Sequence, residues 1–181
     1  MAEPWLVVID MQNVFAHGSP WASPDYATAS QGIHRLLPAF GERVVYTRYV
    51  APAEPEGAWV PYFELWPFAL VPEDDHLYDF APDIDPAGHE VVTRTTFGKW
   101  SAELAEATQH ASEIVLTGVS TDCCVISTAL PMADAGIAVR VPADACAGAT
   151  PDDHQRALDA MALYAPLVTV TTVDEVLASL Q

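Results

Sequence analysis

The chain has 181 residues, of which 51% are apolar and 18% charged, and its formal charge is −18 from 25 acidic against 7 basic side chains. That much apolar content excludes a disordered chain and suits one domain, residues 1–181, with a full hydrophobic core. A surface this acidic repels nucleic acid and anionic membrane, so neither is expected as a partner, and no apolar run is long enough to span a bilayer.

The N-terminal MAEPWLVVID has no basic flank and enters an apolar run within five residues, so it reads as a core strand and not as a signal peptide. Leu6 to Ile9 is the continuous apolar run of a strand covered on both faces, and it ends at Asp10. Ser23-Pro24-Asp25 opens a helical pattern through Ile33, Leu36, Leu37 and Phe40, with Gly41 as its stop. Residues 43–49, RVVYTRY, form a second strand. Residues 50–88 are rich in proline and aromatics and show little periodicity; they read as one long irregular segment, the kind of loop that carries function.

HEVVT, 89–93, reads as the third strand, and Ser101 starts a short helix with Leu104 on its apolar side. Residues 113–119 are the fourth strand, followed by a helix from about Asp122 to Ala135 that Gly136 ends. Ile137 to Val141 is the fifth strand. Pro151-Asp152-Asp153 caps a helix carrying Ala157, Leu158, Met161 and Leu163. Leu167 to Thr171 is the sixth strand, and Val173 to Leu180 the last helix. Strands alternating with helices imply an α/β protein with a parallel, doubly wound sheet covered on both faces. Ligands bind such sheets beyond the carboxyl ends of the strands. Asp10, Arg94, the Ser120–Cys124 turn and Asp144 all fall at such ends.

Three cysteines, Cys123, Cys124 and Cys146, are too few and too odd in number for a disulfide framework, and a reducing cytoplasm is the expected location. Cys124 lies in the first turn of a helix just past a strand, where amide N–H groups favour a thiolate and can hold an oxyanion. The plainer alternative is a small buried hydrophobe. Asp10 ends an apolar strand, so its carboxylate needs a partner; it is placed to exchange a proton with a thiol, or simply to cap a loop. A cation near both would stabilise the charged forms. Arg94 and Lys99, the only lysine, are the candidates in VVTRTTFGKW, unless each is an exposed surface charge.

These stretches together resemble the isochorismatase-like cysteine hydrolases, the superfamily of nicotinamidase and N-carbamoylsarcosine amidase. VVIDMQNVF is similar to that family's opening strand with its catalytic Asp. LTGVSTDCCVISTA is similar to its Gly-Val-x-Thr-Asp-x-Cys-Val nucleophile motif, and DAGIAVRVPADACAG to the strand and turn that follow. The likeness runs along nearly the whole chain in the same order. It implies a three-layer α/β/α sandwich with a six-stranded parallel sheet in the order 3-2-1-4-5-6. It also implies that Cys124 is the nucleophile, that Asp10 is the base, and that Cys123 stands at a variable position and packs. A non-proline cis peptide between Val119 and Ser120 is implied as well, turning backbone amides towards an oxyanion; such a bond costs about 3–4 kcal/mol.

Two departures from the family pattern matter. Aligning FGKW with the family's segment puts Arg94 in the slot of the catalytic lysine and Lys99 five residues later. Arginine would keep the charge but could not shuttle a proton. Register favours Arg94; chemistry and the scarcity of lysine favour Lys99. Both remain candidates, with register given slightly more weight. The second departure is in YTRYVAPAEPEGAW, which lacks the histidines that nicotinamidases carry after the second strand. The six histidines show no ligand spacing, so no metal and no cofactor are expected.

The long segment also supplies Tyr62, Phe63 and Phe68; Phe15, Trp21, Trp59 and Trp66 are the expected walls of a small apolar pocket, or alternatively a plug in a core or subunit interface. Gln12 and Asn13 are read as orienting Asp10 or the loop, Asp144 as capping the final crossover, and Cys146 as core. The expected activity is metal-free hydrolysis of a C–N bond in a small amide, ureido or carbamoyl compound through a thioester. The alternatives are an isochorismatase-type vinyl-ether hydrolase, which works without the cysteine, and a non-catalytic binding protein on the same scaffold. The resemblance also implies a homodimer or homotetramer.

Overall fold

The structure, a computed structural model, describes residues 3–181; Met1 and Ala2 of the expected domain lie outside the described residues. Its elements are β1 (Trp5–Ile9), α1 (Tyr26–Phe40), β2 (Val44–Tyr49), α2 (Trp59–Leu65), β3 (Glu90–Arg94), α3 (Ala102–Ala107), β4 (Glu113–Val119), α4 (Ile126–Asp134), β5 (Ala138–Pro142), β6 (Cys146–Ala147), α5 (Pro151–Ala162), β7 (Val168–Thr171) and α6 (Val173–Ser179). All strand pairings in the sheet are parallel, and the main order is β3-β2-β1-β4-β5-β7, with β6 attached to β4. The six long strands therefore stand in the order the resemblance implied. The two-residue β6 is an addition that period-2 patterning is too short to reveal.

The central strands are apolar on both sides because both sides are covered. Leu6, Val8, Val44, Tyr46 and Val115 meet Ile33, Leu36 and Phe40 of α1 and Val173 and Val176 of α6. Val7, Ile9, Val45, Ile114, Leu116 and Val139 meet Leu104 of α3, Ala129, Met132 and Ala133 of α4, and Leu158 and Met161 of α5. The result is a three-layer sandwich.

Three local readings change. The segment 50–88 is not irregular throughout, because it contains α2. Trp59, Tyr62, Phe63 and Trp66 recur at helical spacing, and Pro61 is tolerated in the first turn, where its missing N–H has no partner to lose. The helix expected from Asp122 begins as a π-turn over Thr121–Val125, in which the Val125 amide donates to the Ser120 carbonyl at 3.1 Å, before α4 proper. The cap of α5 is Thr150, whose hydroxyl accepts from the Asp153 amide at 3.1 Å, and Pro151 is the first helical residue.

Chain order and spatial order part company between β1 and β4. The chain runs outward from β1 through β2 to the edge strand β3, then returns to the other flank of β1. This switch point opens a crevice at the carboxyl ends of β1 and β4. There the strands approach unusually closely: a Cβ on Gly118 would stand 2.1 Å from the Ile9 carbonyl oxygen, and Gly118 has φ +107°. Only glycine fits that contact and that backbone conformation.

Candidate active site

Asp10 sits at the tip of β1 in the left-handed region, φ 48°, a conformation that few residues other than glycine adopt. It is fully buried. Thr47, at the end of neighbouring β2, donates its hydroxyl to Asp10 Oδ1 at 2.6 Å, and the Asp10 amide lies 3.2 Å from the same hydroxyl oxygen. The second carboxylate oxygen, Oδ2, faces Lys99 Nζ at 2.9 Å, with both side chains wholly shielded from solvent. The structure thus brings Lys99, and not Arg94, to the aspartate. Arg94 ends the edge strand and has no acidic partner among the described residues.

The reason lies in the turn that carries the lysine. Gly98 packs directly on the Ser127 carbonyl, where a Cβ would come within 2.6 Å. The Lys99 amide donates to Thr128 Oγ1 at 2.9 Å, and that hydroxyl donates to the Cys124 carbonyl at 2.7 Å. Thr128 therefore ties the lysine turn to the cysteine turn. The ammonium then reaches inward, donating to the Thr96 carbonyl at 2.5 Å and lying 5.2 Å from the centre of the Tyr49 ring.

Cys124 stands on the π-turn that follows β4, only 2% exposed, and its thiol lies near enough to Asp10 and Lys99 to feel both charges. Burial pushes this thiol well above its ordinary pKa; the Asp10 carboxylate adds to the shift, and the Lys99 ammonium opposes it. Burial thus works against the thiolate that the turn's amides favour. π-turns recur at functional sites because the extra residue widens the first turn and re-aims its side chains. The peptide bond between Val119 and Ser120 is cis, as the resemblance implied. Asp122 braces this corner, with Oδ1 accepting from the Ser120 hydroxyl at 2.6 Å and from the Ala149 amide at 2.9 Å.

Cys124 opens onto a cavity of about 270 Å³. All four aromatics expected there, Phe15, Trp21, Trp59 and Trp66, line it. So do Tyr62 of the same aromatic stretch, Tyr49 and Phe97, which the sequence did not single out, and Cys123, which also packs against the core. Burial and the neighbouring Asp122 push the Cys123 thiol up to about 11. Helical spacing from Trp59 was the available signal for Tyr62. For Thr47 and Thr128 there was none, since a buried threonine in an apolar element reads as packing.

The remaining candidates have positions away from the sulfur. Gln12 is buried and clamps the loop: its amide donates to the Tyr49 and Tyr78 carbonyls at 2.9 and 2.7 Å and accepts from the Tyr49 amide at 2.7 Å. Asn13 donates to the His76 carbonyl at 2.9 Å. Asp144 Oδ1 accepts from the Val173 amide at 2.7 Å at the start of α6. Cys146 is buried on the α3–α5 side of the sheet, and burial pushes its thiol up to about 12. Among the described residues, no group of three or more His, Cys, Asp or Glu side chains converges, and no helix is long and apolar enough to cross a membrane.

This arrangement has counterparts. The family model for the isochorismatase domain matches residues 4–175. A stretch of 94 residues is 33% identical to isochorismatase domain-containing protein 2 of Xenopus laevis, covering 49% of this chain and 46% of that protein, so the match spans about half the length of this curated relative. A cysteine hydrolase from Pseudomonas syringae superposes with a TM-score of 0.85 at 19% identity, covering 98% of this chain and 92% of that one. N-carbamoylsarcosine amidase from Thermoplasma acidophilum superposes with a TM-score of 0.75 at 21% identity, covering 96% and 98%. At these identities the two superpositions show the shared fold. The chain belongs to the isochorismatase-like hydrolase family.

Proposed function

From this membership we propose that the protein is a cysteine amidohydrolase, cleaving the C–N bond of a small amide, ureido or carbamoyl compound through a thioester. The observation that carries the reading is the buried contact of Lys99 Nζ with Asp10 Oδ2 at 2.9 Å, next to the Cys124 thiol at the floor of an open cavity. Two opposite charges buried this deeply are costly to keep unless they do something besides packing.

Asp10 takes the thiol proton as the sulfur attacks the substrate carbonyl carbon. Lys99 is paired with Asp10 beforehand and stabilises the thiolate as it forms. Backbone amides of the Ser120–Cys124 turn hold the oxyanion. Asp10 then passes the proton to the departing nitrogen, and the C–N bond breaks to leave the acyl group on sulfur. Water, deprotonated by Asp10, attacks the thioester; the acid leaves and the thiol is restored. Arg94 has no part in these steps.

The test is ammonia release from a panel of small primary amides and ureas by the wild-type protein, with Cys124→Ser and Asp10→Asn as controls. Turnover that both substitutions abolish supports the reading. A vinyl-ether hydrolase would keep its turnover of isochorismate in the Cys124→Ser protein. A binding scaffold would release ammonia from nothing.

A further inference from the structure

The cavity limits what the hydrolase can accept. Resting on the amidohydrolase reading and narrowing it, we infer that the acyl part of the substrate is uncharged and apolar, a flat ring or a short branched hydrocarbon, and that carboxylate-bearing analogues are shut out.

Thirteen residues line the cavity, seven are aromatic, and none is charged. The rings brace one another, so the wall keeps its shape. Trp59 lies 5.5 Å from Phe97 and 5.3 Å from Tyr62 between ring centroids, and Trp21 meets Trp66 edge-on at 6.0 Å. Polar groups gather at the floor, where Ser120 and Cys124 would meet the scissile amide. The two charges beneath that floor, Asp10 and Lys99, are spent on each other.

Among the described residues no other lysine or arginine is available to a substrate carboxylate. Arg35, Arg43, Arg140 and Arg156 pair with acids elsewhere; Arg48 is held by Glu73 and the Tyr78 carbonyl. Arg94 is without an acidic partner but does not line the cavity. A carboxylate entering this space would lose its water and gain no counter-charge, which is strongly unfavourable. The formal charge of −18 repels the same ligand at longer range.

The test uses matched pairs that differ by one remote carboxylate: 3-phenylpropanamide against 3-(4-carboxyphenyl)propanamide, and benzamide against 4-carbamoylbenzoic acid. Binding is read from quenching of tryptophan fluorescence, on ice, in both wild-type and Cys124→Ser protein, so that neither turnover nor poor folding of the variant removes the readout. The neutral member of each pair is expected to bind at least about a hundredfold more tightly. Trp66→Arg, which puts a cation on the wall, is expected to shrink that gap to about tenfold or less. Equal binding of the two members, or binding of neither, overturns the inference. Neutral amides that bind but release no ammonia leave the pocket assignment standing and remove the amidohydrolase reading instead.

Discussion

Replacing Lys99 with methionine separates the two cations that the sequence left in contention. The ammonium lies 2.9 Å from Asp10 Oδ2 with no solvent at either group. Methionine fills most of the space but leaves the carboxylate buried, with the Thr47 hydroxyl as its one side-chain donor. Removing one partner of a buried pair costs about 3–5 kcal/mol, a large share of the roughly 5–15 kcal/mol that holds a domain together. Asp10 can relieve the cost only by taking up a proton, and a protonated carboxyl cannot accept one from Cys124. Turnover should then fall by about 10²–10⁴-fold, the usual contribution of a positioned general base. Urea denaturation followed by circular dichroism gives the stability, and ammonia release gives the rate. Arg94→Met, which removes no ion pair, should change stability by no more than about 0.5 kcal/mol and leave turnover near wild type. Adding Asp10→Asn to Lys99→Met should recover part of the lost stability and none of the activity, because a missing pair costs less than a widowed charge. Loss of turnover in Arg94→Met together with a silent Lys99→Met would refute the assignment.

Three further outcomes follow from the same geometry. Gly118→Ala should destabilise the protein by more than about 2 kcal/mol and abolish activity, since the added Cβ would collide with the Ile9 carbonyl at 2.1 Å and push Asp10 away from the sulfur; a thermal melt checks the first part. Asp122→Ala, which drops the contacts to the Ser120 hydroxyl and the Ala149 amide, should lower kcat more than it changes KM, and Asp122→Asn should restore much of the loss. Stability should fall as pH rises above about 9. Cys123 and Cys146 are raised in the folded state to about 11 and about 12 from an ordinary 9.0, so between those values the unfolded chain releases protons that the folded chain keeps. Denaturation midpoints at pH 7.5, 9.5 and 10.5 measure that decline, and a rise across the series would contradict it.

The layered fold was legible because its signals are local. Continuous apolar runs such as Leu6–Ile9 say that a strand is covered on both faces, and the alternation of such runs with helical patterns allows few topologies. The ends of those runs also pointed to Asp10 and to the cysteine turn. The helix at Trp59–Leu65 was hidden by prolines on either side of a short periodic stretch, and the π-turn by a hydrogen-bond spacing that leaves no mark on residue type. The choice between Arg94 and Lys99 was beyond any local signal. It depends on Gly98 lying flat on Ser127 and on Thr128 joining Lys99 to Cys124, contacts between segments about thirty residues apart in the chain. So the sequence alone determined that an acid and a thiol each stand at the carboxyl end of a strand, because strand ends are written in the local pattern, while the resemblance supplied the strand order. Which cation joins them, and how far burial opposes the thiolate, was decided only by tertiary packing, because desolvation and charge pairing depend on what surrounds a group in space.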